Sequence, residues 1–129
     1  RLTVMPGGNI GIGTSNPQAK LAVEGNILAK EIKVKTDINV PDYVFEPDYN
    51  LKSLEEIESY VKANKHLPEI PSAKQIQADG LNLAEMNLLL LKKVEEMTLQ
   101  LIQMNNEMKK QGEKIDGHSK EIIGLKVIQ

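Results

Sequence analysis

The sequence predicts an α+β chain in which a short β-rich segment leads, through a small turn-rich knob, into one long C-terminal helix. Three observations carry that reading. Glycine-punctuated apolar alternation fills the first 35 residues, every aromatic residue lies between 36 and 80, and from Leu83 onward apolar residues recur in alternating steps of four and three. The predicted boundaries are 1–35 for the β-rich shaft segment, 36–80 for the knob and 81–129 for a coiled-coil helix.

In the first segment, Asn9-Ile10-Gly11-Ile12-Gly13 alternates apolar and small residues until Thr14-Ser15-Asn16-Pro17 breaks it with turn chemistry. Lys20 to Glu24 alternates again, Gly25-Asn26 turns, and Ile27 to Val34 continues with β-branched residues. Strands this short are marginal alone, and their edges are expected to be covered by another copy.

The second segment holds Tyr43, Phe45, Tyr49 and Tyr60. Ser53 with Glu56 fits a capping box, predicting a helix from Leu54 to Ala63 with Ile57, Tyr60 and Val61 on its apolar face and Asn64 as a left-handed stop. Pro68 and Pro71 keep the following stretch out of regular helix. Ser72 with Gln75 opens a second short helix that Asp79-Gly80 ends.

The third segment starts with Asn82 and Glu85 in the same capping pattern, with Leu81 and Met86 placed for a hydrophobic staple. One heptad register puts Leu83, Leu90, Met97, Met104, Gln111, His118 and Leu125 at d, and Asn87, Val94, Leu101, Met108, Ile115 and Ile122 at a. Only Asn87, Gln111 and His118 are polar, so the pattern predicts a coiled-coil seam about 60 Å long. Leu88, Leu89 and Leu91 widen the apolar surface at its start, where packing against the knob is expected. Gly112, Gly117 and Gly124 fall off the seam and weaken the distal part, each by about 1 kcal/mol relative to Ala.

Composition points the same way. Aromatic residues make up 3% of the 129 residues, with no Trp and one Phe. A compact monomer would have to fill its core with aliphatic residues almost alone, whereas an oligomer buries faces between chains. Charged residues reach 26% yet the formal net charge is −2, which gives no electrostatic reason to expect nucleic acid. No apolar run approaches the length of a membrane span. The absence of Cys excludes disulfides and thiolate chemistry. A start at Arg1 without initiator Met or signal pattern leads us to expect a piece of a longer protein.

Sites for chemistry are few. Gly11-Ile12-Gly13 lacks the third glycine and following helix of a nucleotide-binding turn, and close strand packing explains it better. Asp42, Glu46 and Asp48 cluster three carboxylates, but without the spacing of a calcium loop. With Tyr43 and Tyr49 they form a possible ligand-contact set, suited to sugars by stacking and hydrogen bonding. His66 reads as a structural hydrogen-bonding side chain, and His118 as a polar layer setting seam register. Lys52 and Lys74 lie near Ser53 and Ser72, but both serines are explained as helix caps. No nucleophile, acid–base pair or metal set emerges, so neither an enzyme nor a cofactor is expected.

The stretch from Gly8 to Pro17, followed by Lys20-Leu21-Ala22-Val23-Glu24-Gly25, resembles an element of phage tail fibres and related bacterial surface fibres. Tyr43-Val44-Phe45, His66 to Ser72, and Asn82 to Val94 resemble tail-fibre C-terminal domains and are similar to a shortened endosialidase-type intramolecular chaperone domain. The resemblance implies a homotrimer whose C-terminal helices bundle and bring the β-shaft chains into register. It also implies location in a virion tail fibre or extracellular appendage, with other fibre or baseplate proteins and a cell-surface receptor as partners. Self-cleaving members carry Ser-Asp followed closely by Lys before the chaperone domain. The nearest match is Thr36-Asp37 without such a Lys, so the tip is expected to stay attached.

Overall fold

The computed structural model describes residues 1–128, with side chains through residue 125. It is a mixed α+β structure with a three-stranded sheet and three α-helices, the last of them long. Gln129, the end of the third predicted segment, lies outside the described residues. The chain divides into two compact units, Arg1–Lys35 and Thr36–Gln129.

The first unit is built on strands β1 (Leu2–Val4), β2 (Ile10–Ile12) and β3 (Leu21–Val23), in the order β1-β2-β3. β1 runs antiparallel to β2, and β3 parallel to it. The registers align Leu2, Ile12 and Val23 in one cross-strand row and Val4, Ile10 and Leu21 in another. Because side chains alternate along a strand, these six share one face, and Thr3, Gly11 and Ala22 share the other. The loop between β2 and β3 crosses that second face. Asn9 donates to the Pro17 carbonyl at 3.2 Å, and both Gly11 and Pro17 are buried. A Cβ on Gly11 would stand 2.4 Å from the Thr14 carbonyl oxygen, so the strand needs glycine there for close approach rather than for a phosphate.

One expectation for this unit fails, and one strand is added. β1 falls inside the segment expected to be β-rich, but Leu2-Thr3-Val4 is too short to show periodicity of its own. Ile27 to Val34 forms no strand: the segment has no paired neighbour and its apolar side chains stand exposed. Alternation supplies a strand's side chains, but a strand needs a partner's backbone groups.

The second unit comprises a 3-10 turn at Pro41–Phe45, helices α1 (Leu54–Asn64) and α2 (Ala73–Asp79), and helix α3 (Leu83–Ile128). The first two of the three predicted capping boxes form: Ser53 accepts from the Glu56 amide and Ser72 from the Gln75 amide, each at 3.2 Å, and each partner side chain reaches back. Lys65, not Asn64, takes the left-handed position, at φ 62°. The Asn64 side chain instead donates to the Tyr60 carbonyl at 3.0 Å, capping from inside the helix. Ile57, Tyr60 and Val61 are half-buried. At the start of α3, the Asn82 side-chain amide donates to the Glu85 carboxylate at 3.2 Å, a contact between side chains rather than the backbone contacts of a capping box, while Leu81 is exposed and Met86 half-buried.

The 3-10 turn supplies the most buried contacts on α3. Val44 is 1% exposed and Pro41 is equally enclosed. Proline fits this place because its fixed φ suits the first turn and it has no amide to leave unpaired. α3 runs unbroken through Gly112, Gly117 and Gly124, and at 1.5 Å per residue its 46 residues span about 69 Å.

Candidate self-association surface

Helix α3 has two faces with different fates. Among residues 84–100, the side chains that are at least half-buried are Ala84, Met86, Leu88, Leu89, Lys92, Lys93, Glu95, Glu96, Leu99 and Gln100. In the heptad register these are e, g, b, c and f positions, and not one is a or d. All thirteen seam positions from Leu83 to Leu125 are exposed, with Leu101 at 61% and Met108 at 66%. The 36–80 layer therefore packs on one side of the helix and leaves the seam bare. Beyond Gln100 nothing covers any side of α3 as far as residue 125.

The covered side is unexpectedly polar. Glu69, held in the left-handed region at φ 68°, accepts from Lys92 at 2.5 Å and from Lys93 at 3.1 Å. Lys93 also bridges to Glu96 at 3.0 Å, and the Tyr49 hydroxyl donates to the same Glu96. Gln100 donates to the Lys52 carbonyl at 3.4 Å. This network pins the loops on either side of α1 to α3. Burial, then the hydrogen bond to Glu96 and its charge, push the Tyr49 hydroxyl up to about 12. Burial alone would raise Glu69, but hydrogen bonds from Lys92 and Lys93 outweigh it and hold the carboxyl below its ordinary value. For Lys92 burial works downward, and the bond to Glu69 and its charge reverse the sign. Glu95 is the exception. It is 9% exposed, its Oε2 has no hydrogen-bond partner among the described residues, and burial followed by the charge of Asp42 raises its pKa.

The five residues considered for ligand contact separate. Tyr43 and Tyr49 come together, ring centroids 5.9 Å apart and tilted by 50°, but Tyr49 is half-buried with its hydroxyl committed to Glu96. Lys92 lies 5.7 Å from the Tyr43 ring centre. Asp42, Glu46 and Asp48 are exposed. Among the described residues no group of three or more His, Asp or Glu side chains is placed to hold a metal ion. The Nδ1–H of His66 donates to the Leu67 carbonyl at 2.9 Å, and its ring meets Tyr60 edge-on at 5.5 Å. His118 is exposed on the seam side of α3. Leu88 and Leu89 line a cavity with Ile38, Pro41 and Tyr43, whereas Leu91 is exposed beside the seam.

The polar network was not foreseen. Nothing in the spacing of Lys92-Lys93 and Glu95-Glu96 signals it, because only the three-dimensional return of Tyr49 and Glu69 makes these side chains internal. A second bare surface lies on the sheet, where Leu2, Val4, Ile12 and Leu21 are exposed on the shared apolar face. Among the described residues, no helix is long and apolar enough to cross a membrane. Comparisons with protein families, curated proteins and solved structures give no match.

Proposed function

We propose that this chain is a structural module that trimerises through α3 and caps the C-terminal end of a tail fibre or similar surface appendage, acting as an intramolecular chaperone for the β-rich segment. The observation that carries the reading is the open seam. A helix buries its apolar stripe against something, and here the chain's own layer covers the opposite side. A parallel bundle of copies covers the seam without disturbing that layer. Met-rich layers specify strand number poorly, and Ile at a with Leu at d is also compatible with dimers, so the choice of three rests on the resemblance to tail-fibre C-terminal domains.

The bare sheet face and the unpaired Ile27 to Val34 segment support the second half of the reading. Interchain strand pairing carries a high loop-closure cost and forms slowly. Joining three helices raises the effective concentration of the three β-segments for one another. The role is non-catalytic and uses no cofactor. A receptor- or glycan-binding tip is the alternative, favoured by the exposure of Tyr43 and Phe45 and weakened by the engagement of Tyr49.

The test is the molar mass of the unmodified chain at micromolar concentration by light scattering. Three times 14.4 kDa supports the reading, and a stable monomer ends it. Leu101→Asp, which places carboxylates on the bundle axis, is expected to dissociate the trimer.

A further inference from the structure

Between α1, the Leu67-Pro68 turn and α3 lies an apolar crevice of about 90 Å³, lined by Leu51, Leu54, Ile57, Leu67, Pro68 and Met97. Its rim stays open, with Leu54 46% exposed. We propose that this crevice is a socket for Ile102 of the neighbouring copy, so that each 36–80 layer grips two helices rather than one. The inference rests on the trimeric reading and adds the residues by which one protomer recognises the next.

The argument is one of flank, height and chemistry. Glu96 at c, Lys93 and Gln100 at g, and Met97 at d border the crevice, so it is centred on the g side of its own helix and meets the seam at Met97. A closed three-fold ring makes all helices run the same way, and in a parallel bundle the g flank of one helix faces the e flank of the next. Position b adjoins e on the helix circumference. Ile102 occupies b, is 49% exposed, and lies just past the stretch that its own layer covers. Height agrees as well. Gln100 holds the Lys52 carbonyl, which fixes residues near Leu54 at that level of α3, and Ile102 is about 3 Å further along the axis. Within one chain Ile102 and the crevice are on opposite flanks of the helix, so only another copy brings them together. A branched aliphatic side chain suits an aliphatic socket, and its burial here removes two exposed apolar groups at once.

The chain has no cysteine, which makes a crosslink specific. The variant carrying Leu54→Cys and Ile102→Cys is expected to give covalent dimers and trimers with a short bis-maleimide on a denaturing gel. The control carries Leu54→Cys and Ile123→Cys, since Ile123 is also an exposed b residue but three heptads further on, and it should stay at monomer mass. In parallel, Ile102→Glu should lower the melting temperature of the assembly by about 4 °C or more, and Ile123→Glu by less. A trimer by light scattering whose Leu54/Ile102 pair links no better than the control, or links only within one chain, overturns the socket and leaves the trimeric reading intact. A monomer overturns both.

Discussion

Two carboxylates on the covered side of α3 behave in opposite ways, and the difference lies in their partners. Glu69 meets two lysines, so its ionised form is favoured. Its contribution is present above the ordinary carboxylate pKa and is lost as pH falls through its lowered folded value. Glu95 meets burial and Asp42 instead. Its pKa is raised, so the folded state is relieved when it is protonated and burdened as pH rises through that range. Glu95→Gln is therefore expected to stabilise the second unit at neutral pH and to change little in acid, as read by melting at the two pH values. Tyr49, raised to about 12, gives the alkaline counterpart: its contribution is complete below about 10 and lost as pH climbs through 12. Tyrosinate absorbance should show one tyrosine titrating late, and Tyr49→Phe should remove it at a cost of about 1.5–3 kcal/mol, the range for a bond to a charged acceptor. In the first unit, Gly11→Ala forces a methyl against the Thr14 carbonyl at 2.4 Å and should cost about 1–3 kcal/mol.

At the scale of elements, the caps and the apolar stripe of the long helix were legible because their rules are local. Ser53 with Glu56 and Ser72 with Gln75 start helices through contacts three residues apart, and the four-three step of α3 needs only the helix period. Replacing either serine by Ala should cost about 1 kcal/mol. Lys65 escaped because a lysine gives no sign of the left-handed conformation. Lys65→Gly should therefore stabilise α1's end by a measurable fraction of the about 1–2 kcal/mol that a side chain costs there. β1 and the missing strand after Gly25 escaped for a related reason. Strand formation is decided by what pairs alongside, and Leu2-Thr3-Val4 finds β2 while Ile27 to Val34 finds nothing in the chain. The site was half legible. Periodicity located the apolar stripe of α3, but only the packed layer shows that the chain leaves it uncovered.

At the scale of the whole molecule, the layer and α3 form one unit, so they depend on each other. Pro41 and Val44 are buried where their turn packs on the helix, and a chain ending at Gly80 loses that cover. Such a truncation should lose both the second unit's fold and the trimer, leaving an unaligned β-segment. Fusing an unrelated parallel trimeric coiled coil directly after residue 35 should restore oligomeric β-structure if α3 serves the shaft only as an aligning clamp. A truncation after Gln111 should cost less than loss of Leu88 to Met104, where apolar density is highest. Failure of the fusion to restore strand signal by circular dichroism would assign the 36–80 layer a direct part in shaft assembly. Intact mass after long incubation should show no cut at Lys35-Thr36.

The bare stretch of α3 beyond Gln100 sets a deadline for a newly made chain. A helix that carries three glycines and is covered on no side lacks the packing that supplies most helical stability in water, so on its own it unwinds more readily than the covered part. Unwound backbone is what proteases cut. On the trimeric reading, copies that meet quickly would bury this region, while those that stay apart would leave it open to trimming from the C-terminal end. The same residues thus act as a built-in inspection point: limited proteolysis at falling protein concentration should begin within 101–125 before touching either compact region.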